Sequence, residues 1–183
     1  MRVLLICGSP AEASHTAALL GEVARQIQNN GDQVELWDLS LKPLAFSQPN
    51  WHKDPTSSGV EAVCDFYGSV QNSDAIVLGT PLYHGSYSGV LKNALDCLTG
   101  DAFKNKPVGL VSNGSNIRKS YQACLHLTTV VMTMNGTPMP TQIGTGKVDY
   151  EQTADGLIVK NANIIERCKR LADELADWVK RLS

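Results

Sequence analysis

Three short stretches hold residues whose types and spacing suit ligand chemistry. The first is the loop Gly8 to Thr16, where Ser9, Ser14 and Thr16 offer hydroxyls and no Lys or Arg is present. Neutral hydroxyls and the unpaired amides of a helix start can together hold a phosphate monoester without a cation. The same residues, Ser14 and Thr16 above all, could equally serve only as helix caps. Neither G-x-x-x-x-G-K-[ST] nor G-x-G-x-x-G occurs there, so the usual nucleoside triphosphate cradle and dinucleotide turn are excluded. The second stretch, Thr80 to Gly89, brings a rigid Pro81, an aromatic Tyr83, His84 and several backbone donors. The third, Ser112 to Asn116, brings backbone amides and small polar groups, Asn113, Gly114 and Ser115 among them.

The elements that must position these loops follow from periodicity. Val3 to Cys7 is a continuous apolar run, suited to a strand buried on both faces of a parallel sheet. A helix is expected over about His15 to Asn30, with Leu19, Leu20, Val23, Ala24 and Ile27 on one face and the tolerant Asn29-Asn30-Gly31 ending it. Gln33 to Leu39 alternates as a second strand. Leu41 to Gly59 reads as a long loop in which Trp51 and His52 either cover a ligand or pack the loop onto the domain. A helix over Val60 to Gln71, a strand over Ala75 to Gly79, a helix over Gly89 to Leu98 and a strand over Lys106 to Val111 come next. A helix from about Arg118 to Met134 precedes a fifth strand within Asn135 to Gly144, where Pro138 and Pro140 suit an edge. Gly144 to Gly156 is expected as loop and Ile158 to Leu182 as a closing helix. The alternation gives a five-stranded parallel sheet with helices on both faces. In such sheets ligands sit beyond the carboxyl ends of the strands. All three candidate loops follow the most apolar, hence most central, strands.

Composition bounds the remaining choices. The 183 residues fit one domain, 1–183, with no repeat, low-complexity tract or linker. A net charge of −2 argues against nucleic acid or an anionic membrane as partner. The five cysteines, Cys7, Cys64, Cys97, Cys124 and Cys168, are odd in number and widely spaced. No C-x-x-C pair offers a zinc or dithiol site, so no metal ligand set is assigned. Free thiols, no leader and no apolar run near ~20 residues point to a cytoplasmic protein.

A ligand that touches all three loops has a phosphate at one end and a flat, hydrogen-bonding body at the other. Riboflavin 5′-phosphate, FMN, has that shape. The residues also resemble a known family: TPLYHGSYSGVLKNALD is similar to a segment of the NADPH-dependent FMN reductases, and GSPAEASHT to their phosphate loop. The resemblance implies a flavodoxin-like three-layer α/β/α fold with strand order 2-1-3-4-5. It is nearest to members that supply reduced flavin to two-component monooxygenase systems. It maps Ser9, Ser14, His15 and Thr16 onto phosphate contacts, Pro81, Leu82, Tyr83 and His84 onto the isoalloxazine loop, and Asn113, Gly114 and Ser115 onto the third loop. Two departures stand out. Ala11 occupies a position where many relatives have Arg, and Leu82-Tyr83-His84 one where many have Glu-Tyr-Asn.

By the same resemblance, hydride passes from NADPH or NADH to FMN and on to a flavin, quinone, azo or similar acceptor. The flavin carries that chemistry, so no side chain is assigned as acid or base. A homodimer or homotetramer is implied, resting on the apolar helix around Val130 and on family habit. The alternatives are a non-enzymatic flavodoxin-type electron carrier, to which a charge of −2 gives little support, and a small-molecule or phosphopeptide-binding module. His126 is expected as a core or interface residue, and Lys92 with Asp96 as a helix-surface pair or subunit contact.

Overall fold

The computed structural model describes residues 1–182. Five parallel strands, β1 (Arg2–Cys7), β2 (Gln33–Asp38), β3 (Ala75–Pro81), β4 (Pro107–Asn113) and β5 (Thr137–Thr145), form one sheet in the order β2-β1-β3-β4-β5. This is the expected order and the expected parallel pairing. The apolar runs are central for the reason given by their composition. Val3 to Cys7 and Ala75 to Leu78 are fully buried, which only a sheet covered on both faces achieves.

Helices supply the two covers. One apolar layer joins Val3, Leu5, Val77 and Val111 to α1 (His15–Asn29) and α5 (Ala162–Leu182) through Leu19, Leu20, Val23, Leu171 and Leu175. The other joins Leu4, Ile6, Ile76, Leu78 and Leu110 to α2 (Glu61–Gln71), α3 (Gly89–Asp96) and α4 (Ile117–Thr133) through Phe66, Leu91, Leu95, Leu127 and Val131. Ser14 caps α1 by accepting from the Ala17 amide at 3.1 Å, and Ser88 and Asn116 cap α3 and α4 in the same way. Among the described residues no helix is long and apolar enough to cross a membrane.

Three stretches differ from expectation. The stretch after β5 is not plain loop: one 3₁₀ turn, Lys147–Asp149, leads into an antiparallel hairpin of β6 (Tyr150–Thr153) and β7 (Gly156–Val159). Its strands have four residues each, too short for a periodic signal, and Asp155-Gly156 is the one turn cue there. Ile158 therefore belongs to β7, and the last helix begins at Ala162. β3 and β4 run on through Thr80-Pro81 and Ser112-Asn113, because these residues still pair across the sheet. The long loop Leu41 to Gly59 contains one 3₁₀ turn, Pro55–Ser58, and α3 holds its middle: Asn93 accepts from the Ser47 amide at 2.9 Å and donates to the Ala45 carbonyl at 3.0 Å. β5 lies at the sheet edge, as its prolines require, with a register shift where Pro138 stands opposite Val108.

Close backbone approach sets how tightly α3 and α1 press on the strand ends. A Cβ on Gly8 would sit 2.7 Å from Leu91 Cβ and 2.9 Å from the Gly79 carbonyl oxygen, neither of which can swing aside. Gly21, exposed in α1, has nothing within 4 Å of its own Cβ position. Gly8→Ala is accordingly expected to destabilise the protein by about 1–3 kcal/mol in urea unfolding, through overpacking. Gly21→Ala serves as control and should be neutral or stabilising by up to about 1 kcal/mol.

Candidate functional site

The carboxyl ends of β1, β3, β4 and β5 carry loops joined in a circuit, by hydrogen bonds and, at His15, by a ring contact. The Gly8 amide donates to the Gly79 carbonyl at 2.7 Å, and the Ser88 hydroxyl donates to the Gly8 carbonyl, joining the first loop to the second. Ser88 also accepts from the Leu91 amide at 3.2 Å, and its own amide donates to Thr80 Oγ1 at 3.0 Å. The Leu82 amide donates to the Asn113 carbonyl at 2.7 Å, joining the second loop to the third. The Gly114 amide donates to the Thr145 carbonyl at 3.0 Å, tying the third loop to the end of β5. Tyr150 closes the circuit: its hydroxyl lies 2.7 Å from Thr145 Oγ1, and its ring meets His15 edge-on at a centroid distance of 4.7 Å.

Each residue singled out from the sequence has a place on this rim. Ser9 is buried, and its hydroxyl turns back within the loop to Ala11, accepting from the amide at 3.2 Å. Ser14 caps α1 through its oxygen, and its hydroxyl also lies beside the Cys7 thiol. His15 is half-buried, and burial, with the nearby Lys147 charge, pushes its imidazole below the usual range. Thr16 is buried. The amides of His15 and Thr16, the first two of α1, donate to no group among the described residues. Pro81 is buried at the end of β3, and Leu82 is half-buried beside Gly114. Tyr83 is 46% exposed and stands at the base of a tight turn. The Tyr83 amide donates to the Ser86 carbonyl at 2.9 Å and the Ser86 amide returns to the Tyr83 carbonyl at 3.0 Å. His84 and Gly85, with φ of 49° and 82°, form the left-handed tip that closes such a two-residue hairpin. Asn113 is half-buried, Gly114 buried and Ser115 exposed.

Two rim residues, Thr145 and Tyr150, were not singled out by sequence, and Gly8 and Ser88 stood in the quoted loop motifs without a role assigned. Ser88 precedes an amphipathic helix and is readable as a cap, but its second bond, to Gly8, is 80 positions away and leaves no local trace. Thr145 and Tyr150 carry no motif at all. His126 is not a core residue, the first of the two places expected for it. It is exposed rather than buried, and its Nδ1 lies 2.9 Å from Ser86 Oγ, so it steadies the second loop from α4. Lys92 and Asp96 form an exposed ion pair, 2.6 Å apart.

The rim has the donor set that a phosphorylated, flat ring needs. The free amides at the start of α1 carry the positive end of its dipole toward the first loop. Among the described residues Ser112 Oγ is the one buried hydroxyl without a partner, and it lies at the end of β4 between Thr80 and Gly144. An unmatched buried donor at a strand end is what a bound ligand or water accounts for. The Cys7 thiol beneath the loop is pushed up to about 11, chiefly by burial, and stays protonated, so no thiolate opposes an anion there.

Sheet order and helical layers define a flavodoxin-like α/β protein. The chain belongs to the NADPH-dependent FMN reductase family, whose model matches residues 1–149. It is an FMN-dependent oxidoreductase that uses NADPH. One relative is the FMN-dependent NADPH-azoreductase of Staphylococcus haemolyticus (strain JCSC1435). It is 37% identical over 183 residues, covering 98% of this chain and 95% of the relative. The fold resembles that of the flavoenzyme NAD(P)H:(acceptor) oxidoreductase of Paracoccus denitrificans, with a TM-score of 0.77 and 21% identity over 98% of this chain and 97% of that one. A flavodoxin from the domain Archaea superposes with a TM-score of 0.66 and 14% identity, covering 98% and 99% of the two chains.

Ser88 is the joint between the first two loops, and its loss leaves the Gly8 carbonyl and the Leu91 amide unpaired in a buried place. Ser88→Ala should lower stability by about 1–3 kcal/mol in urea unfolding. Ser115→Ala, on the exposed part of the third loop, should stay within about 0.5 kcal/mol of the parent.

Proposed function

We propose that the three-loop rim holds FMN and that the protein passes electrons from NADPH to an azo or quinone-like acceptor bound over the same rim. The observation that carries this reading is the run of hydrogen bonds joining the three loops to β5, closed by the Tyr150–His15 ring contact, which brings Ser9, Tyr83 and Asn113 to one edge of the sheet beside the free amides of α1. The His15 and Thr16 amides, with the Ser9, Ser14 and Thr16 hydroxyls, hold the phosphate. Pro81 to His84 line the ring, Tyr83 offering an aromatic face that the left-handed tip holds in place. Asn113, Gly114 and Ser115 meet the ring's hydrogen-bonding edge with backbone and carboxamide groups. Bound FMN supplies hydride acceptance and electron delivery. The chain's own part is orientation and the exclusion of water, with no side chain acting as acid or base. The azo acceptor draws support from the name of the Staphylococcus relative.

The same reading takes residues 1–183 as one domain working in the cytoplasm, where the five free thiols stay reduced. It also takes the active form as a homodimer or homotetramer. Exposed Val90, Leu125 and Met132 on α3 and α4 support that assembly, since apolar side chains of this size gain by being covered.

Purified protein should take up one FMN per chain and then oxidise NADPH continuously when an azo dye or a quinone is present. Tight FMN without turnover points to a carrier instead, and no flavin uptake overturns the reading. Ala11 is exposed on the phosphate loop and leaves room for a cation. Ala11→Arg is expected to tighten FMN binding by about 1 kcal/mol, roughly fivefold, at low salt, with the gain shrinking as salt rises. Fluorescence titration of the apoprotein reads this directly.

A further inference from the structure

Tyr150 stands one residue beyond the part of the chain that the family model matches. Its side chain is 5% exposed and lies between two rim loops. Its hydroxyl is 2.7 Å from Thr145 Oγ1, which in turn lies 3.3 Å from Asn113 Oδ1 and 3.2 Å from the Ser112 carbonyl oxygen. The direction of this chain follows from counting protons. A carbonyl oxygen can only accept, so the Thr145 proton goes to Asn113 and Ser112. The proton between the two hydroxyls must then come from the phenol. Burial pushes the Tyr150 phenol well above its ordinary range, so it keeps that proton at every working pH. With its Oδ1 engaged by Thr145, the Asn113 carboxamide has Nδ2 free, and this NH₂ donates to nothing among the described residues.

The segment that carries Tyr150 is itself held. Buried Asp149 accepts from the Gly146 amide at 2.8 Å and from Asn161 Nδ2 at 2.6 Å, spanning the 3₁₀ turn and the start of α5. The phenol is thus a fixed point rather than a rotor.

We propose that Tyr150 is a positioning residue which, through Thr145, fixes the Asn113 carboxamide so that its NH₂ faces the ring end of the FMN site. The assignment rests on the FMN reading above. It concerns the ring and not the phosphate, although the Tyr150 ring also touches His15. FMN and riboflavin differ only in the phosphate, so the pair separates the two roles.

The experiment titrates FMN and riboflavin into apoprotein, followed by quenching of flavin fluorescence, for the parent, Tyr150→Phe, Thr145→Val and Thr145→Ser. Tyr150→Phe and Thr145→Val should each weaken both flavins by the same factor, roughly five- to tenfold. Thr145→Ser keeps the hydroxyl and should bind both flavins as the parent does. The double variant Tyr150→Phe/Thr145→Val should bind no worse than either single one, because both break one chain. Weakening confined to FMN overturns the proposal, as does unchanged affinity in either single variant. Should Tyr150→Phe fail to fold, the contrast between Thr145→Val and Thr145→Ser decides the matter by itself. Parent protein that takes up neither flavin overturns the FMN reading itself, and the role of Tyr150 with it.

Discussion

A parallel sheet runs all its strands out at one edge, and there the ladder stops while its last amides and carbonyls still need partners. This protein meets that demand by letting each loop satisfy its neighbour. Gly8 is the clearest case: its amide goes back to β3 and its carbonyl goes forward to Ser88. The bond to Ser88 is possible only because no side chain stands at Gly8 to hold Leu91 away. The start of α3 is thereby drawn down onto the end of β1. The rim takes its shape from the need to pair backbone groups at strand ends, and the ligand groups come along with it.

The electrostatics of the rim follow the same pattern. The first loop offers helix amides and hydroxyls and no cation, and its one charged side chain is Glu12. A positive charge that acts on His15 comes from Lys147, in the turn after β5. Its influence, added to burial, favours the neutral imidazole of His15. Positive charge thus comes from the side, from a segment that also carries Asp149 and Tyr150, while the loop's own Glu12 is negative.

Much of this was legible from residue order. The apolar runs of β1, β3 and β4 announced a sheet covered on both faces, and the alternation of elements fixed its parallel sense. Ser14 was recognisable as a helix start, and His84 as part of a tight loop. What could not be read was every relation that spans the fold. The Ser88 bond to Gly8, the Thr145 bond to Tyr150 and the contact of His126 with Ser86 join residues whose spacing follows no local period. The β6–β7 hairpin escaped for a different reason: two four-residue strands bury too few side chains to leave a pattern.

Pro138 and Pro140 give β5 two positions with no amide hydrogen. The outer border of the sheet on that side therefore presents a broken row of donors, and a further strand laid against it would find its carbonyls unanswered. The chain itself obeys this, since after β5 it folds into a separate hairpin and never extends the sheet. Covalent structure alone thus makes the first half of that border a poor template for a second copy's strand.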